Sequence, residues 1–559
     1  MKKEDIYNAI TDIDPCLIEE ADRFRFKKKR KLLPVILSVA AVFVIVFAVN
    51  SLYNMGILTG IPESSETLPD TTGGLLSVTE GTEQTSAPEA VIPSTSQPQT
   101  DFEITTSPSQ ETTDASEVTT QQIPETNTDG ETDQTVNIHI NDGTKVVKPQ
   151  TVMKASYPEM SPYPLLGELD PRYNKWAEDT RKLWRIEVET DNISEFSRRL
   201  MSEVLTAKDD ENNIVSPLNI YMALGMLAEA AGGNSRQQLL DLLGSSSIDA
   251  LREQANKIWQ KNYRDDGVMK SIMSNSLWLN DTILYKKSAV TTIAQKYFAS
   301  VYSGTMGSEK YNKMLNNWIK DNTGGLLSPD ISTDYDTVMA IASTLLYQTK
   351  WNDEFETSET EKGTFYASDG DKNISYMKAS RYMHYYWGEN FSAISLGLDI
   401  GGRMWFILPD ESVDADTIFS DNEMLGLITA PSSELSGKYE KSKYLEVHMA
   451  IPKFDVKSEQ NVLESIKKLG VTDILDGELS DFSVLATNSD GIFISEMSHG
   501  VRVKIDEEGV CAAAYSVIIG AGSAAPPDEE VYFTLDRPFA FVISLDNATP
   551  LFAGVVNNP

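Results

Sequence analysis

The sequence is poor in the residues on which disulfide-rich, metal-binding and hydrolytic proteins depend. Its 559 residues include only two cysteines, Cys16 and Cys511, and four histidines. Two cysteines that lie so far apart exclude a disulfide framework and a cysteine-based zinc site. The histidines show neither the HExxH motif nor any other paired spacing, which argues against a metalloenzyme. We therefore predict no metal site, no cofactor and no catalytic residues.

Positive charge is also scarce. The chain has 48 Lys and Arg against 83 Asp and Glu, which gives a formal net charge of −35. Binding to nucleic acid needs basic side chains for the phosphates, so the sequence argues against a nucleic-acid partner. Between Lys31 and Lys145 there is no Lys or Arg at all.

One long run of residues lacks charge of either sign. Residues 32–49 are rich in Val, Ile, Phe and Ala, and the basic cluster 27–31 precedes them directly. Extended to residue 53, the run is long enough to cross the ~30 Å hydrocarbon core of a bilayer. The positive-inside rule then places residues 1–31 in the cytoplasm. We predict a single transmembrane signal anchor at 32–53, with everything after it outside the cell.

Other interpretations of this region are weaker. A cleavable signal peptide has an apolar region of only ~7–15 residues and a shorter charged start. The exit Ala48-Val49-Asn50-Ser51 also fits a cleavage site poorly. The cluster 27–31 could also be a basic patch that binds nucleic acid, but the apolar run directly after it argues against this interpretation. The first 26 residues fit a short cytosolic helix.

The composition changes again after the anchor. Residues 54–150 are dominated by Ser, Thr, Pro, Glu, Asp and Gln, and Phe102 is the only aromatic residue in this range. Such a segment buries too little apolar area to offset the entropy of ordering it. We predict a disordered acidic stalk that holds the following domain away from the membrane.

Globular composition returns near Tyr157. Residues 151–190 are predicted to be an N-terminal extension of a domain at 191–559. Helical spacing and caps predict a helix at 194–205 that Ser194 caps, a second that Ser216-Pro217 opens, and a third that ends at Asn322. Strands are predicted at 338–347, 404–408, 445–451, 501–505, 539–545 and 551–556. Helices come first and strands dominate later, which indicates an α+β fold.

Several motifs, distributed in order along 191–559, resemble those of the serpin family. They are Asn213-Ile-Val-Ser-Pro-Leu-Asn-Ile220, Ser276-Leu-Trp-Leu279, Trp318-Ile-Lys-Asp-Asn-Thr-Gly324, Leu345 to Trp351, Ile494-Ser-Glu-Met-Ser-His499, Asp506-Glu-Glu-Gly509, Arg537-Pro-Phe-Ala-Phe541 and Phe552-Ala-Gly-Val-Val-Asn-Asn-Pro559. The resemblance implies the serpin fold, in which helices pack on a large central β-sheet and two smaller sheets, with an exposed reactive-centre loop at about 507–527. The anchor and the acidic stalk look like those of surface proteins of Gram-positive bacteria.

The resemblance also implies a mechanism. In serpins a protease cuts the loop, and the N-terminal part of the loop inserts into the central sheet and carries the acylated protease with it. The implied hinge is Glu507, Glu508, Gly509, Val510, Cys511, Ala512, Ala513 and Ala514. We predict that Gly509 supplies unrestricted φ at the hinge. Val510 stands where Thr or Ser is more usual, and we predict that it slows insertion without preventing it.

The alternation of side chains tests whether the loop can insert. Val510, Ala512, Ala514, Ser516 and Ile518 fall on one face of a strand, and all of them are small or apolar. The bulky Tyr515 falls on the other face, so a slip of one residue would bury it. No Pro or charged residue occurs between Val510 and Gly522. The loop is therefore predicted to be competent for insertion.

Counting from Gly509 at the family's offset places the reactive bond at Ser523-Ala524, within about two residues. Every nearby side chain is Gly, Ala or Ser, which predicts specificity for small residues, as in elastase-like or subtilisin-like proteases. The resemblance further implies a breach that includes Trp351 and Thr360.

The implied shutter comprises Ser216, Asn219, Ser343 and His499. The family usually has Ser at the place of Asn219 and Asn at the place of Ser343. The set of one amide, two hydroxyls and one imidazole is unchanged, so the buried groups can still find partners in a compensated exchange.

Three functions remain open at this point. The first is a membrane-anchored, monomeric suicide inhibitor whose partners are extracellular serine proteases. The second is a non-inhibitory serpin-like domain for adhesion or binding, although such members carry Pro, charge or bulk in the hinge. The third is a hydrolase with Ser523 as its nucleophile, which is opposed by the missing second glycine of a nucleophile elbow and by the absence of a base partner.

Overall fold

The computed structural model describes residues 148–164, 170–206, 211–399, 401–435, 439–489, 491–510, 529–545 and 547–559. Within these ranges the helices are α1 (Tyr173–Trp184), α2 (Asp191–Leu205), α3 (Pro217–Ala230), α4 (Gly233–Leu242), α5 (Ile248–Asn262), α6 (Lys287–Lys296), α7 (Glu309–Asn322), α8 (Asn422–Ile428), α9 (Ser432–Leu435) and α10 (Leu463–Lys468). None of these helices is long and apolar enough to cross a membrane. The predicted anchor at 32–53 and the stalk up to residue 147 lie outside the described residues.

The strands of the same ranges are β1 (Gln150–Met153), β2 (Asn213–Val215), β3 (Arg264–Asp265), β4 (Lys270–Asn280), β5 (Ala299–Gly304), β6 (Met339–Lys350), β7 (Glu361–Ala367), β8 (Gly370–Trp387), β9 (Phe391–Gly397), β10 (Arg403–Pro409), β11 (Ser442–Pro452), β12 (Phe454–Asn461), β13 (Ser498–Ile505), β14 (Gly509–Val510), β15 (Glu530–Thr534), β16 (Phe539–Ser544) and β17 (Pro550–Val556). Every strand that the sequence predicts overlaps one of these, and the α+β class is confirmed.

The strands form two sheets. The first, which we call the large sheet, has the order β1-β5-β4-β6-β14-β13-β12, and β3 pairs with β4 off this path. The second has the order β15-β11-β8-β9-β10-β16-β17-β2, with β7 paired to β8. Helix α3 packs against both sheets, through β6 and β17.

Helix α3 is enclosed on nearly all sides. Of its 14 residues only Ala223 is not buried, a pattern that belongs to a helix in the centre of a domain. Pro217 occupies the first turn, where its missing N–H costs no hydrogen bond, as the sequence predicts. Near the other end, the buried Glu229 carboxylate pairs with Arg252 at 2.8 Å. The helix therefore has a fixed place between the two sheets, with Ser216 at its N-terminal end.

The helix predicted at 194–205 begins three residues earlier than expected. Helix α2 starts at Asp191 after Thr190, and neither residue makes a side-chain cap. Ser194 lies inside the helix and is buried, so the prediction that it caps the helix is wrong. Burial of Ile193 beside Phe196 extends the apolar stripe and explains the earlier start.

The extension before α2 is docked on the domain. Strand β1 adds an edge to the large sheet by antiparallel pairing with β5, where Thr151 lies opposite Tyr302. The Tyr157 ring lies 5.0 Å from the Trp259 ring, and the Trp176 indole N–H donates to the buried Asp266 carboxylate at 3.0 Å. Aromatic packing and a paired edge therefore hold residues 150–164 and 170–184 against the core.

Candidate functional site

The hinge predicted at Gly509 already lies inside the large sheet. Strand β14 pairs with β6 through Gly509–Lys350 and Val510–Thr349, and with β13 through Val510–Ile505. Val510 is 3% exposed and belongs to the main core, on the inward face that the alternation assigns to it. The loop segment therefore enters the sheet from the end of β6, between two strands.

Below β14 the same two strands are not paired with each other. Within the ranges that the structure describes, no ladder joins β6 to β13, and β14 is the element that pairs with both. Strands β6 and β13 are 12 and eight residues long, whereas β14 has two. The large sheet therefore has a gap at the position where a further strand would make two ladders.

Gly509 is required for a reason that the sequence did not suggest. Its φ is not among the positive values found at other glycines, so the expected conformational freedom is not used in this state. Instead, a Cβ at Gly509 would lie 2.2 Å from the Thr349 carbonyl oxygen and 2.6 Å from the Lys350 Cα. The close approach of two backbones excludes any side chain here.

The predicted breach residues both contact the hinge. The Trp351 indole N–H donates to the Asp506 carbonyl at 2.8 Å, and the Trp351 backbone N–H donates to the Glu508 carbonyl at 3.0 Å. The Thr360 hydroxyl donates to Glu507 Oε1 at 2.8 Å. Trp351 is 2% exposed, so a buried side chain anchors the start of the loop.

A further residue that contacts the hinge, Lys453, could not be identified from the sequence. Its ammonium lies 2.6 Å from Glu507 Oε2, and the Glu507 side chain is 11% exposed. Burial raises the pKa of Glu507, but hydrogen bonds from Lys453 and Thr360 outweigh it and hold that pKa below its usual value. The available signal was a single cation in the otherwise uncharged run Met449 to Phe454.

The end of β6 carries a second charged group. The buried Lys350 ammonium pairs with Glu354 Oε1 at 2.8 Å. The Asp399 backbone N–H donates to the Lys350 carbonyl at 2.9 Å. Burial raises the pKa of Asp399 to about 6. The positive charge of Lys350 opposes this rise, and the negative charge of Glu354 adds to it. Charges therefore cluster where Gly509 meets β6.

Two of the four predicted shutter residues are hydrogen-bonded to each other. The Ser216 backbone N–H donates to His499 Nε2 at 3.0 Å, and the Ser216 hydroxyl donates to the Leu551 carbonyl at 2.7 Å. Burial lowers the pKa of His499 to about 4. The ring is therefore neutral at physiological pH, which it must be to accept a hydrogen bond through Nε2.

The exchanged residues Asn219 and Ser343 do not supply each other with hydrogen bonds. Among the described residues, Asn219 Oδ1 and Ser343 Oγ are buried without a hydrogen-bond partner. Ser343 on β6 lies opposite Asn275 on β4, and the Asn275 amide donates to the Tyr297 carbonyl instead. Full compensation of the exchange is therefore not found in this state.

A family model described as serpin (serine protease inhibitor) matches residues 191–559, about two thirds of the chain. This chain is a serpin. Serpins are protease inhibitors and not enzymes, which excludes the hydrolase with Ser523 as nucleophile. Mouse alpha-1-antitrypsin 1-1 is 25% identical over 382 residues, which cover 66% of this chain and 88% of the relative. Serpin-ZX of Arabidopsis thaliana is 26% identical over 386 residues, which cover 66% of this chain and 97% of the relative.

Solved structures agree on the fold of this serpin. The native state of the thermophilic serpin tengpin superimposes with a TM-score of 0.58 at 22% identity, and the match covers 74% of this chain and all of tengpin. Human glycosylated kallistatin gives a TM-score of 0.57 at 21% identity, over 66% of this chain and 97% of kallistatin. At these identities the likeness concerns the fold alone.

The rest of the predicted loop lies outside the described residues of this serpin. This applies to Cys511, Ala512, Ala513 and Ala514, to the register residue Tyr515, and to the reactive bond Ser523-Ala524. Within the described ranges, no group of three His, Cys, Asp or Glu side chains is placed to hold a metal ion.

Proposed function

We propose that this serpin is a cell-surface suicide inhibitor of extracellular serine proteases that cleave after small residues. The observation that carries the proposal is the position of Gly509 and Val510 between β6 and β13, at the mouth of an unpaired gap. The next residues are small and uncharged, so a cut loop can follow Val510 into the gap. Insertion would add a ladder on each side of the loop.

The specificity follows from the residues around the proposed reactive bond. Ser523 and Ala524 stand among Gly, Ala and Ser, which offer nothing to a deep acidic pocket or to a large aromatic one. Proteases of the elastase or subtilisin type accept such side chains. The cell-surface location rests on the apolar run 32–53 and on the basic cluster before it.

The alternative is a non-inhibitory serpin that serves as a binding or adhesion domain. Mixing the full chain with pancreatic elastase or with subtilisin, followed by denaturing gels, separates the two functions. An inhibitor gives a complex that survives SDS and a rise in melting temperature after loop cleavage. Clean cleavage of the loop without any complex, by both proteases, would contradict inhibition. Partition of the full chain into membranes, resistant to high salt and carbonate, tests the anchor.

A further inference from the structure

The strand that follows the loop belongs to a sheet with two different faces. On β11, Leu445, Val447 and Met449 point into the core, and Phe533 does so on β15. The opposite face of the same strands carries large rings in contact with solvent: Tyr382 on β8 is 46% exposed, Tyr444 on β11 is 50% exposed, and Tyr532 on β15 is 73% exposed. Isolated surface aromatics are ordinary, but a set on three neighbouring strands marks a contact surface.

The strand pairing brings these rings together. Tyr444 lies opposite His384 across β11 and β8, and their ring centroids are 5.4 Å apart. His448 lies beside Tyr532 across β11 and β15, with stacked rings 4.8 Å apart. We call this set of residues the aromatic face: Tyr382, His384, Tyr444, His448 and Tyr532.

Carboxylates lie among the rings. Glu446 accepts a hydrogen bond from the Tyr382 hydroxyl at 3.3 Å, and Glu530 lies 3.2 Å from His448 Nε2. These carboxylates are held by neutral or weakly basic groups, so they remain available to a cation from outside. Lys443 at the margin is already paired with Glu529 at 2.6 Å.

A cavity at the edge of the aromatic face extends the negative charge. It has a volume of about 580 Å³, and Tyr382 and four acidic residues of the 353–359 segment line it. One of the four, Glu354, is paired with Lys350. Both cations in its wall already have partners, and only Lys378 is paired with a carboxylate. Arg381 lies over the Phe355 ring at 4.7 Å and donates to the Asp353 and Glu354 carbonyls, and Lys378 forms an ion pair with Glu361.

The aromatic face lies close to the proposed reactive bond along the chain. Five residues lie between Ala524 and Glu530, the first residue of β15, and the six chain steps from one to the other span at most about 21 Å when fully extended. A bound protease is wider than that distance. A protease that holds the bond therefore lies within reach of the end of β15 at which the strand begins.

We propose that the aromatic face and its acidic margin are a second docking surface for the target protease, one that selects proteases with Arg or Lys side chains beside the active site. This inference rests on the proposed function. Exposed Tyr rings bind such cations through their π-faces, and the nearby carboxylates pair with them. The negative charge also attracts a basic protease before the loop is engaged.

The test uses the full chain with pancreatic elastase, a cationic protease that accepts small residues. Two double variants remove the two elements separately: Tyr444→Ser with Tyr532→Ser removes rings, and Glu446→Gln with Glu530→Gln removes charge. The control is Glu464→Gln with Glu478→Gln, which makes the same charge change on exposed positions outside the aromatic face. Unchanged melting temperatures show that the variants are folded.

We expect the second-order rate constant of inhibition to fall about tenfold in each double variant at about 50 mM salt. The control keeps the wild-type rate. Raising the salt to about 300 mM slows the wild type more than the charge variant. Salt screens the attraction between the carboxylates and the protease, and the charge variant has already lost that attraction. Equal rates for all four proteins would overturn the proposal.

Two further measurements separate this proposal from its alternatives. Binding to elastase whose active-site serine is replaced by alanine reports docking without cleavage, so it tests the aromatic face even where no SDS-stable complex forms. If the wild type and the variants form complexes at the same rate, the proposed inhibitor function still holds but the proposed docking surface is contradicted. The second measurement is sedimentation velocity. If it detected a wild-type dimer that is absent in the ring variant, the aromatic face would be a contact between two copies, which would contradict the proposal.

Discussion

The Glu507 carboxylate lies 2.6 Å from the Lys453 ammonium, and this pair holds the segment between β13 and β14. Glu507 is mostly buried, whereas Lys453 reaches it from the turn between β11 and β12. The pair thus joins the loop to a part of the chain more than 50 residues away. Together with the hydrogen bonds from Trp351 and Thr360, the pair holds the hinge in this state.

Replacing Lys453 by Met should weaken the hinge. The Glu507 carboxylate would remain buried without its cation, and we expect the native state to lose about 2 kcal/mol of unfolding free energy. Denaturant unfolding followed by tryptophan fluorescence measures the loss. Lys467→Met is the control, because its 3.9 Å pair with Glu464 is exposed and should change stability by less than about 0.5 kcal/mol. Equal effects of the two changes would show that the hinge pair is not special.

Replacing Gly509 by Ala should displace β14. The new methyl would overlap the Thr349 carbonyl oxygen, which belongs to the backbone of β6, so one of the two strands would have to shift. We expect a loss of about 2 kcal/mol or more and faster amide exchange at Val510. Gly426→Ala on α8 is the control, since no atom beyond its chain neighbours and its own helix backbone lies within 4 Å of its Cβ position. That change should be neutral or stabilising by about 0.5–1 kcal/mol.

Acid should destabilise this serpin through His499. Its pKa is about 4 in the folded chain and near 6.5 when unfolded, so between these values the unfolded chain binds the extra proton. Stability is then complete above about pH 6.5 and falls toward pH 4, by about 1.4 kcal/mol per pH unit at most. Subtracting the pH curve of His499→Gln from that of the wild type isolates the contribution. A difference that does not change with pH would contradict the burial of a neutral ring.

Asp399 should act in the opposite direction over an overlapping range. Its folded pKa of about 6 is above the ordinary value, so the folded chain binds the extra proton between about pH 4 and 6. Stability from this group therefore decreases as the pH rises through that window. Asp399→Asn should gain about 1 kcal/mol relative to the wild type at pH 7.5 and nothing near pH 4. Thermal unfolding at the two pH values measures this change.

The inward face of the loop can be tested with two neighbouring alanines. Ala514→Arg puts a charge on the face that must enter the core, whereas Ala513→Arg puts the same charge on the outer face. On the proposed function, the first variant is cut by elastase without forming complexes, so its stoichiometry of inhibition rises at least about tenfold. The second variant keeps the stoichiometry of the wild type. If Ala513→Arg abolished inhibition and Ala514→Arg did not, the register would be shifted by one residue.

The elements with strong local patterns could be predicted from the sequence. Helix α3 has an apolar run after Ser216-Pro217, and strands such as β11 alternate in a way that fixes their buried face. Trp351 and Thr360 were assigned to the breach through the family motifs, and both contact the hinge. Local patterns and ordered motifs therefore identified residues that the structure brings into contact.

Contacts between distant segments could not be predicted in the same way. Lys453 meets Glu507 only because β12 and β13 pair, and nothing near either residue indicates the other. The close backbone approach that requires Gly509 depends on β6, which is about 160 residues earlier. Strand β1 begins in polar residues at the end of the predicted stalk, and its pairing with β5 supplies the stability that its composition lacks. All three features depend on pairing between strands that are distant in the sequence.

The gap between β6 and β13 also determines how long such a molecule lasts in use. A strand that fills the gap is hydrogen-bonded along both edges, so withdrawing it means breaking two ladders at once. On the proposed function, a chain that has closed over a protease does not reopen for a second one. The capacity of a cell to resist proteolysis is then a matter of supply: it is set by the number of copies on display and by the rate of their synthesis.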